Sequence, residues 1–312
     1  MTAGDAFDLD PVIRIAAPDW FHRALGTPFD RHSIDVAGCR IHYIAWGPPS
    51  RIGLVFVHGG GAHAHWWTHI AAMFAESVRC VAIDLSGHGD SGWRADYDLE
   101  TWTDEVVAVI SAEQLESPLV VGHSMGGFVT IATAARHPDA LDGAVIIDSP
   151  VIETDAEVTA AQHREPFATT RLIDDPVDAV RGFRTIPPQD RYLDFVIDHV
   201  ARRSLTRVGE QWRWKFDPRF WRALGGSPHT SALPYLEHVG CRIALLRCEE
   251  GLVDREIGRS MYRALGRSMP VVELPTAGHH PMLDTPLILV TALRSLFADW
   301  IHSNPRRPDR AD

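Results

Sequence analysis

A chain of 312 residues is long enough for one large α/β domain with an inserted subdomain. Its hydrophobic fraction of 45% and charged fraction of 23% are ordinary for a globular protein. The 30 lysines and arginines are outnumbered by 41 acidic residues, and the resulting net charge of −11 disfavours nucleic acids and anionic membrane surfaces as partners.

The N-terminal ten residues carry acidic side chains where a signal peptide needs basic ones, and no apolar stretch approaches membrane-spanning length. We therefore expect a cytoplasmic protein without membrane insertion. No metal-ligand spacing is found among the cysteines and no dinucleotide-binding glycine fingerprint is present, so we expect neither a metal nor a cofactor. The sequence leaves the oligomeric state open, with a homo-oligomer allowed.

The predicted elements begin with a short helix from Pro18 to Leu25 and a hairpin formed by residues 33–36 and 40–44. Strands and helices then alternate. Strands are predicted near 53–57, 79–84, 118–122 and 143–148, and helices near 66–76, 99–114 and 125–137. This alternation predicts a mostly parallel sheet with helices on both faces.

The alternation stops at Ser149-Pro150 and resumes at Ile243. It then gives a helix near 254–265, a strand at 271–274 and a final helix near 286–301. We interpret residues 151–233 as a mostly helical cap inserted after the sixth strand, and residues 1–150 and 234–312 as the core that carries it.

The most informative motif is Gly122-His123-Ser124-Met125-Gly126, which directly follows an apolar strand and precedes a helix. A serine on so sharp a turn takes strained backbone angles, and the glycines on either side leave the space that the turn requires. The serine hydroxyl then stands at a helix N-terminus, where free N–H groups can receive negative charge. Ser124 is accordingly the candidate nucleophile.

Three further landmarks follow predicted strands in the same chain, and with the serine motif they resemble the α/β-hydrolase family over roughly residues 30–303. They are His58-Gly59-Gly60-Gly61, Leu85-Ser86-Gly87-His88-Gly89-Asp90-Ser91 and Thr276-Ala277-Gly278-His279-His280. The resemblance implies the fold and a serine-based catalytic apparatus. It also implies His279, which follows Ala-Gly, as the base in preference to its neighbour His280.

The acid that orients the base is less evident from the sequence. The family usually carries it a few residues after the strand that follows the cap, where this chain has Gly251 between Glu250 and Asp254. A second location known in the family is the end of the strand before the cap, where Asp148 stands. We favour Asp148, with Glu250 and Asp254 as alternatives and a turn-capping role as its structural rival.

Acyl transfer also needs donors for the oxyanion. The N–H of Met125 follows the serine into the helix, and the resemblance implies Gly60 as the second donor. We refer to the loop His58-Gly59-Gly60-Gly61 as the oxyanion loop. Aromatic residues are frequent near this loop and in the predicted cap. From these, Trp66, Trp212 and Trp214 are the candidates for lining a substrate cleft.

These residues predict a cofactor-independent serine hydrolase that cleaves a small-molecule carboxylic ester or lactone through an acyl-enzyme on Ser124. Fold and triad do not fix the substrate. C–C bond hydrolysis, acyl transfer and cofactor-free lyase chemistry on the same fold therefore remain alternatives, as does a catalytically silent binding protein.

Overall fold

The computed structural model describes residues 16–116, 118–152, 171–223 and 232–303. Within them, eight strands form one sheet and two further strands form a separate hairpin. The strands of the sheet are β1 (Phe29–Val36), β2 (Cys39–Trp46), β3 (Gly53–Val57), β4 (Arg79–Ile83), β5 (Leu119–His123), β6 (Gly143–Ile147), β9 (Arg242–Glu250) and β10 (Val271–Gly278); the hairpin is β7 (Leu205–Val208) and β8 (Gln211–Trp214).

The helices lie mostly where the sequence predicts them. They are α1 (Asp19–Leu25), α2 (Thr68–Ala71), α3 (Leu99–Ala112), α4 (Met125–Arg136), α5 (Pro176–Arg181), α6 (Asp194–Arg203), α7 (Phe220–Ala223), α8 (Leu233–Leu236), α9 (Arg255–Ala264), α10 (Pro281–Asp284) and α11 (Pro286–His302). The predicted helix near 66–76 is shorter than expected. A 3-10 turn at Ala64–Trp67 precedes α2, and after Ala72 the hydrogen bonds switch to i→i+3 spacing, which ends the helix.

The sheet order is β1-β2-β4-β3-β5-β6-β9-β10. Strands β1 and β2 form the predicted antiparallel hairpin and β2 also pairs antiparallel with β4, whereas every pair from β4 to β10 is parallel. The fold class predicted from the sequence, a mostly parallel sheet with helices, is confirmed. Because β6 and β9 are direct neighbours, everything between them in the sequence is an insertion into a continuous sheet.

The central strands are buried on both faces, as parallel strands covered by helices must be. Successive residues of β3 alternate between two hydrophobic clusters. Val55 and Val57 pack with residues of α3 and α4, whereas Leu54 and Phe56 pack with residues of α2 and α11. The carboxyl ends of the parallel strands meet at one edge of the sheet, and the candidate site lies there.

The described part of the predicted cap, residues 151–152, 171–223 and 232–233, contains α5, α6, α7, the hairpin β7–β8 and the start of α8. The hairpin was not predicted from the sequence. The remainder of the predicted cap, residues 153–170 and 224–231, lies outside the described residues. The insertion contacts the edge where the parallel strands end, since Asp217 donates its N–H to Gly87 O at 2.8 Å and Leu193 donates to Leu283 O at 2.9 Å.

Among the helices described here, none is both long and apolar enough to cross a membrane.

Candidate active site

Ser124 occupies the turn between β5 and α4 with φ 53° and ψ −119°, a left-handed conformation that is strained for a residue with a side chain. Its backbone is held in place because its N–H donates to Ile147 O at 3.0 Å and its carbonyl accepts from the Gly127 N–H at 2.9 Å. The flanking glycines are required by packing. A Cβ on Gly122 would overlap the Gly126 carbonyl, and a Cβ on Gly126 would overlap the backbone at the end of β3.

His279 follows β10 and is buried beside this turn, with 3% of its surface exposed. Its Nδ1 lies 2.8 Å from Oδ2 of Asp148, the residue directly after β6. A carboxylate partner fixes Nδ1 as the protonated nitrogen and leaves Nε2 as an acceptor. Among the described residues, Nε2 has no hydrogen-bond partner, so the imidazole is oriented and free to accept a proton.

The Asp148 carboxylate is held by the loop after β9. Oδ2 accepts a hydrogen bond from the Leu252 N–H at 2.7 Å, and Oδ1 accepts from the N–H groups of Cys248 and Val253, both at 3.2 Å. Burial raises the pKa of this carboxyl, but the hydrogen bond and charge of His279 and the backbone donors outweigh burial, so the pKa is lowered overall. Asp148 is therefore an ionised acceptor at neutral pH.

The position of the Asp148 carboxylate explains why a glycine, Gly251, stands near the usual position of the acid. A Cβ at Gly251 would overlap the Asp148 carboxylate. Asp148 itself has φ 46°, and this left-handed turn at the end of β6 is pinned by its N–H, which donates to Leu246 O at 2.9 Å. The carboxylate thus reaches across from β6 into the space that the β9 loop leaves open.

The two alternative acids lie elsewhere. Glu250, at the end of β9, is about half exposed and pairs with Arg191 at 2.5 Å. Asp254 caps helix α9, accepting hydrogen bonds from the N–H groups of Glu256 and Ile257, both at 2.8 Å. Both carboxylates are therefore occupied in contacts that do not involve His279.

His280 and His123 lie beside His279, but the Nε2 atom of each ring is hydrogen-bonded to a backbone carbonyl. The Nε2–H of His280 donates to Pro187 O at 3.0 Å. The Nε2–H of His123 donates to the backbone carbonyl of His279 at 2.8 Å. Burial, followed by the nearby His279, lowers the pKa of His123 to about 3, so this ring stays neutral and positions the backbone of the base.

The two residues predicted to supply the oxyanion donors, Gly60 and Met125, lie near each other at this edge. A Cβ on Gly60 would lie 3.8 Å from the sulfur of Met125 and 3.1 Å from the ring of Phe220. Within the described part of the chain, the N–H groups of Gly60 and Met125 make no hydrogen bond. Both donors are therefore available to a substrate oxygen.

A cavity of about 280 Å³ begins at Gly60 and extends between the oxyanion loop and the insertion. Trp66 and Trp214, two of the three predicted cleft residues, line it together with Phe183, whose ring lies 6.4 Å from that of Trp66 and 5.5 Å from that of Trp214. Trp212 does not line this cavity and forms a backbone bridge with Ile173. Sequence reasoning missed Phe183, because no motif marks it and only the fold brings it to the cavity.

Two groups of side chains in the described structure could in principle hold a metal ion, each with candidate ligand atoms within 4.8 Å of one another. One is His123, His279 and His280, whose hydrogen bonds are given above. The other is His42, Asp84 and Asp90. There the Asp84 carboxylate contacts His42 Nδ1 at 2.8 Å and accepts from the N–H groups of Ala64 and Asp90, an arrangement that ties loops together.

Comparison with known proteins supports the fold and the family. Esterase Rv0045c of Mycobacterium tuberculosis is 26% identical over 273 residues, which cover 82% of this chain and 86% of the esterase. Its crystal structure matches with a TM-score of 0.68 at 21% identity, covering 91% of this chain and 99% of the esterase chain. The crystal structure of E-2-(acetamidomethylene)succinate hydrolase matches with a TM-score of 0.75 at 21% identity, covering 87% of this chain and all of the other.

A shorter similarity is found to 2-hydroxymuconate semialdehyde hydrolase of Pseudomonas sp. strain CF600, 34% identical over 101 residues, or 31% of this chain and 36% of the relative. The sequence profile of the Alpha/beta hydrolase family matches residues 54–292, which include the serine turn, the histidine loop and the whole insertion. The chain therefore belongs to the alpha/beta hydrolase family.

Proposed function

We propose that this hydrolase is a serine esterase that cleaves a carboxylic ester or lactone through an acyl-enzyme on Ser124. The observation that carries the proposal is the 2.8 Å contact between His279 Nδ1 and Asp148 Oδ2, with His279 Nε2 left without a partner in the described structure. This is the tautomer and orientation that a general base for a serine requires.

In the proposed mechanism, His279 Nε2 takes the hydroxyl proton as Ser124 Oγ attacks the ester carbonyl. Asp148 keeps the imidazole in place and stabilises its cation, since the backbone donors around the carboxylate favour its charged form. The N–H groups of Met125 and Gly60 receive the oxyanion. The imidazolium then protonates the leaving alcohol, and His279 activates a water that releases the acid and regenerates Ser124.

We extend the proposal to the insertion, residues 151–233, as a cap over the site. It supplies Phe183 and Trp214 to the cavity beside the oxyanion loop. A small aromatic cavity between a core and a cap suits a small substrate with an apolar portion, because its volume of about 280 Å³ lies just below the roughly 300–1,000 Å³ typical of small-molecule sites.

Ser124→Ala tests the mechanism. We expect turnover of 4-nitrophenyl esters to fall roughly 10⁴-fold or more and labelling by a fluorophosphonate probe to disappear, with the unfolding temperature nearly unchanged. Ser149→Ala, at a buried serine close to the site, serves as the matched control and should retain labelling. Substantial ester turnover by the Ser124 variant would refute the proposal.

C–C bond hydrolysis is the second candidate, favoured by the 34% identity to 2-hydroxymuconate semialdehyde hydrolase over a limited segment. The same triad could serve it, so structure alone does not separate the two reactions. Comparing kcat/KM for 4-nitrophenyl esters with kcat/KM for a ring-cleavage diketone distinguishes the two reactions. A much larger value for the diketone would replace the esterase proposal.

A further inference from the structure

The described lining of the cavity beside the oxyanion loop combines four aromatic residues with glycines, three small or aliphatic side chains (Thr185, Ile186 and Ser204) and one cationic side chain. The residues relevant to recognition are Gly60, Trp66, Phe183, Arg184, Trp214 and Phe216. Four of them present aromatic rings, which suit an apolar or planar substrate portion. Arg184 is the one cationic residue of the described lining, so it favours a negatively charged group in the cavity.

Arg184 is an exposed residue at the cavity, and no described carboxylate neutralises its charge. Its NH1 donates to the carbonyl oxygens of Phe183 at 2.6 Å and Arg181 at 3.2 Å. Across the described part of the chain, no carboxylate forms an ion pair with Arg184 and its other two nitrogens make no hydrogen bond. The neighbouring Arg181 differs, because it pairs with Asp178 at 3.6 Å. A guanidinium at a cavity, with donors that water can give up to a ligand, is suited to a planar anion.

Trp66 contributes a ring to the same cavity from the core. It is 5% exposed, and its indole Nε1 is itself buried, so the residue offers the cavity an aromatic surface and no donor. Arg184 is thus the charged donor of the described lining, which contains no carboxylate that would compete for it.

We propose that the substrate carries a carboxylate that lies in this cavity against Arg184. The proposal rests on the proposed function, because it takes Gly60 as the point where the scissile carbonyl meets the cavity. The substrate class is then an ester or lactone of a small carboxylate-bearing molecule. A neutral alkyl ester would offer the Arg184 guanidinium no negative charge.

The test compares matched anionic and neutral substrates. The acyl-side pair is 4-nitrophenyl hydrogen glutarate and its methyl ester, and the alcohol-side pair is 4-carboxyphenyl acetate and its methyl ester. In at least one pair, Arg184→Gln should lower the anionic-to-neutral ratio of kcat/KM by roughly 10- to 100-fold, the scale of a hydrogen bond to a charged group. Arg181→Gln is the matched control and should leave both ratios within about twofold.

A binding measurement separates failure of this inference from failure of the esterase proposal. Calorimetry on Ser124→Ala protein should detect 4-carboxyphenyl acetate, and the Ser124→Ala/Arg184→Gln protein should bind it at least tenfold more weakly. If no ester is turned over but this difference is found, the esterase proposal fails and the carboxylate site stands. Unchanged ratios and unchanged binding in the Arg184 variants, or equal losses in the Arg181 control, would overturn the carboxylate site.

Discussion

Acid should unfold this protein well above the pH at which its carboxylates are protonated, because it buries many neutral histidines. Seven histidines in the described structure are almost completely buried and have lowered pKa values, with burial as the largest cause in each. They are His58, His63, His65, His69, His88, His123 and His280. A histidine in the unfolded chain has a pKa of about 6.5.

The sign and size of the effect follow from proton uptake. Below pH 6.5 the unfolded chain binds protons at these histidines while the folded chain does not, so stability is full above pH 6.5 and falls as the pH decreases. His63 and His123 have pKa values of about 3 and His69 of about 4. Lowering the pH from 7.5 to 5.5 then costs about 1.3 kcal/mol for each of them, roughly 4 kcal/mol for the three.

Roughly 4 kcal/mol is a large share of a total stability of about 5–15 kcal/mol, and the other four histidines act in the same direction. Among the described carboxyl groups, Glu105 and Asp284 have pKa values raised by burial and oppose the loss, but they are fewer than the seven histidines. Asp84 and Asp148 have lowered pKa values, so their contribution is present above the unfolded pKa of about 3.9 and is lost only at lower pH. Between pH 7.5 and 5.5 the histidines should therefore dominate.

Urea unfolding followed by tryptophan fluorescence at pH 7.5, 6.5 and 5.5 measures the effect, with the m-value checked for constancy. His69→Gln should reduce the difference in unfolding free energy between pH 7.5 and 5.5 by about 1.3 kcal/mol. His22→Gln should not change it, because His22 is exposed to water in the folded chain as well. A wild-type loss below about 1 kcal/mol, or the same loss in His69→Gln as in the wild type, would refute the reasoning.

Three further predictions concern the site. Asp148→Asn should lower kcat up to roughly 10⁴-fold in steady-state assays, because it places a donor where His279 needs an acceptor. Glu250→Gln, the control, should change kcat less than about threefold. Equal losses in the two variants would refute the assignment of Asp148 as the acid. Trp214→Ala should raise KM severalfold with little change in fluorophosphonate labelling, because it removes a cavity wall; unchanged KM for several esters would contradict the cap proposal. Gly122→Ala should lower stability by about 1–3 kcal/mol in urea unfolding, since its Cβ would overlap the Gly126 carbonyl; unchanged stability would count against that packing.

The sequence alone determined the features that depend on local patterns. Apolar runs with turn residues predicted the strands of the core, and the glycines around Ser124 predicted a strand, a tight turn and a helix, which the structure contains. The order of the motifs also indicated the family. Each of these signals lies within a few consecutive residues, so no knowledge of distant contacts was needed.

Only the tertiary structure decided which carboxylate meets His279. Asp148 and the loop after β9 are about 100 residues apart in the chain, and they meet because β6 and β9 are neighbours, with Ile147 opposite Leu246. Gly251 then leaves room for the carboxylate. The cavity residues Phe183 and Arg184 were likewise identified only from the tertiary structure, because no local sequence pattern marks them. A sequence specifies local conformation through adjacent residues, whereas a site assembled from separate strands and an insertion depends on how those elements pack.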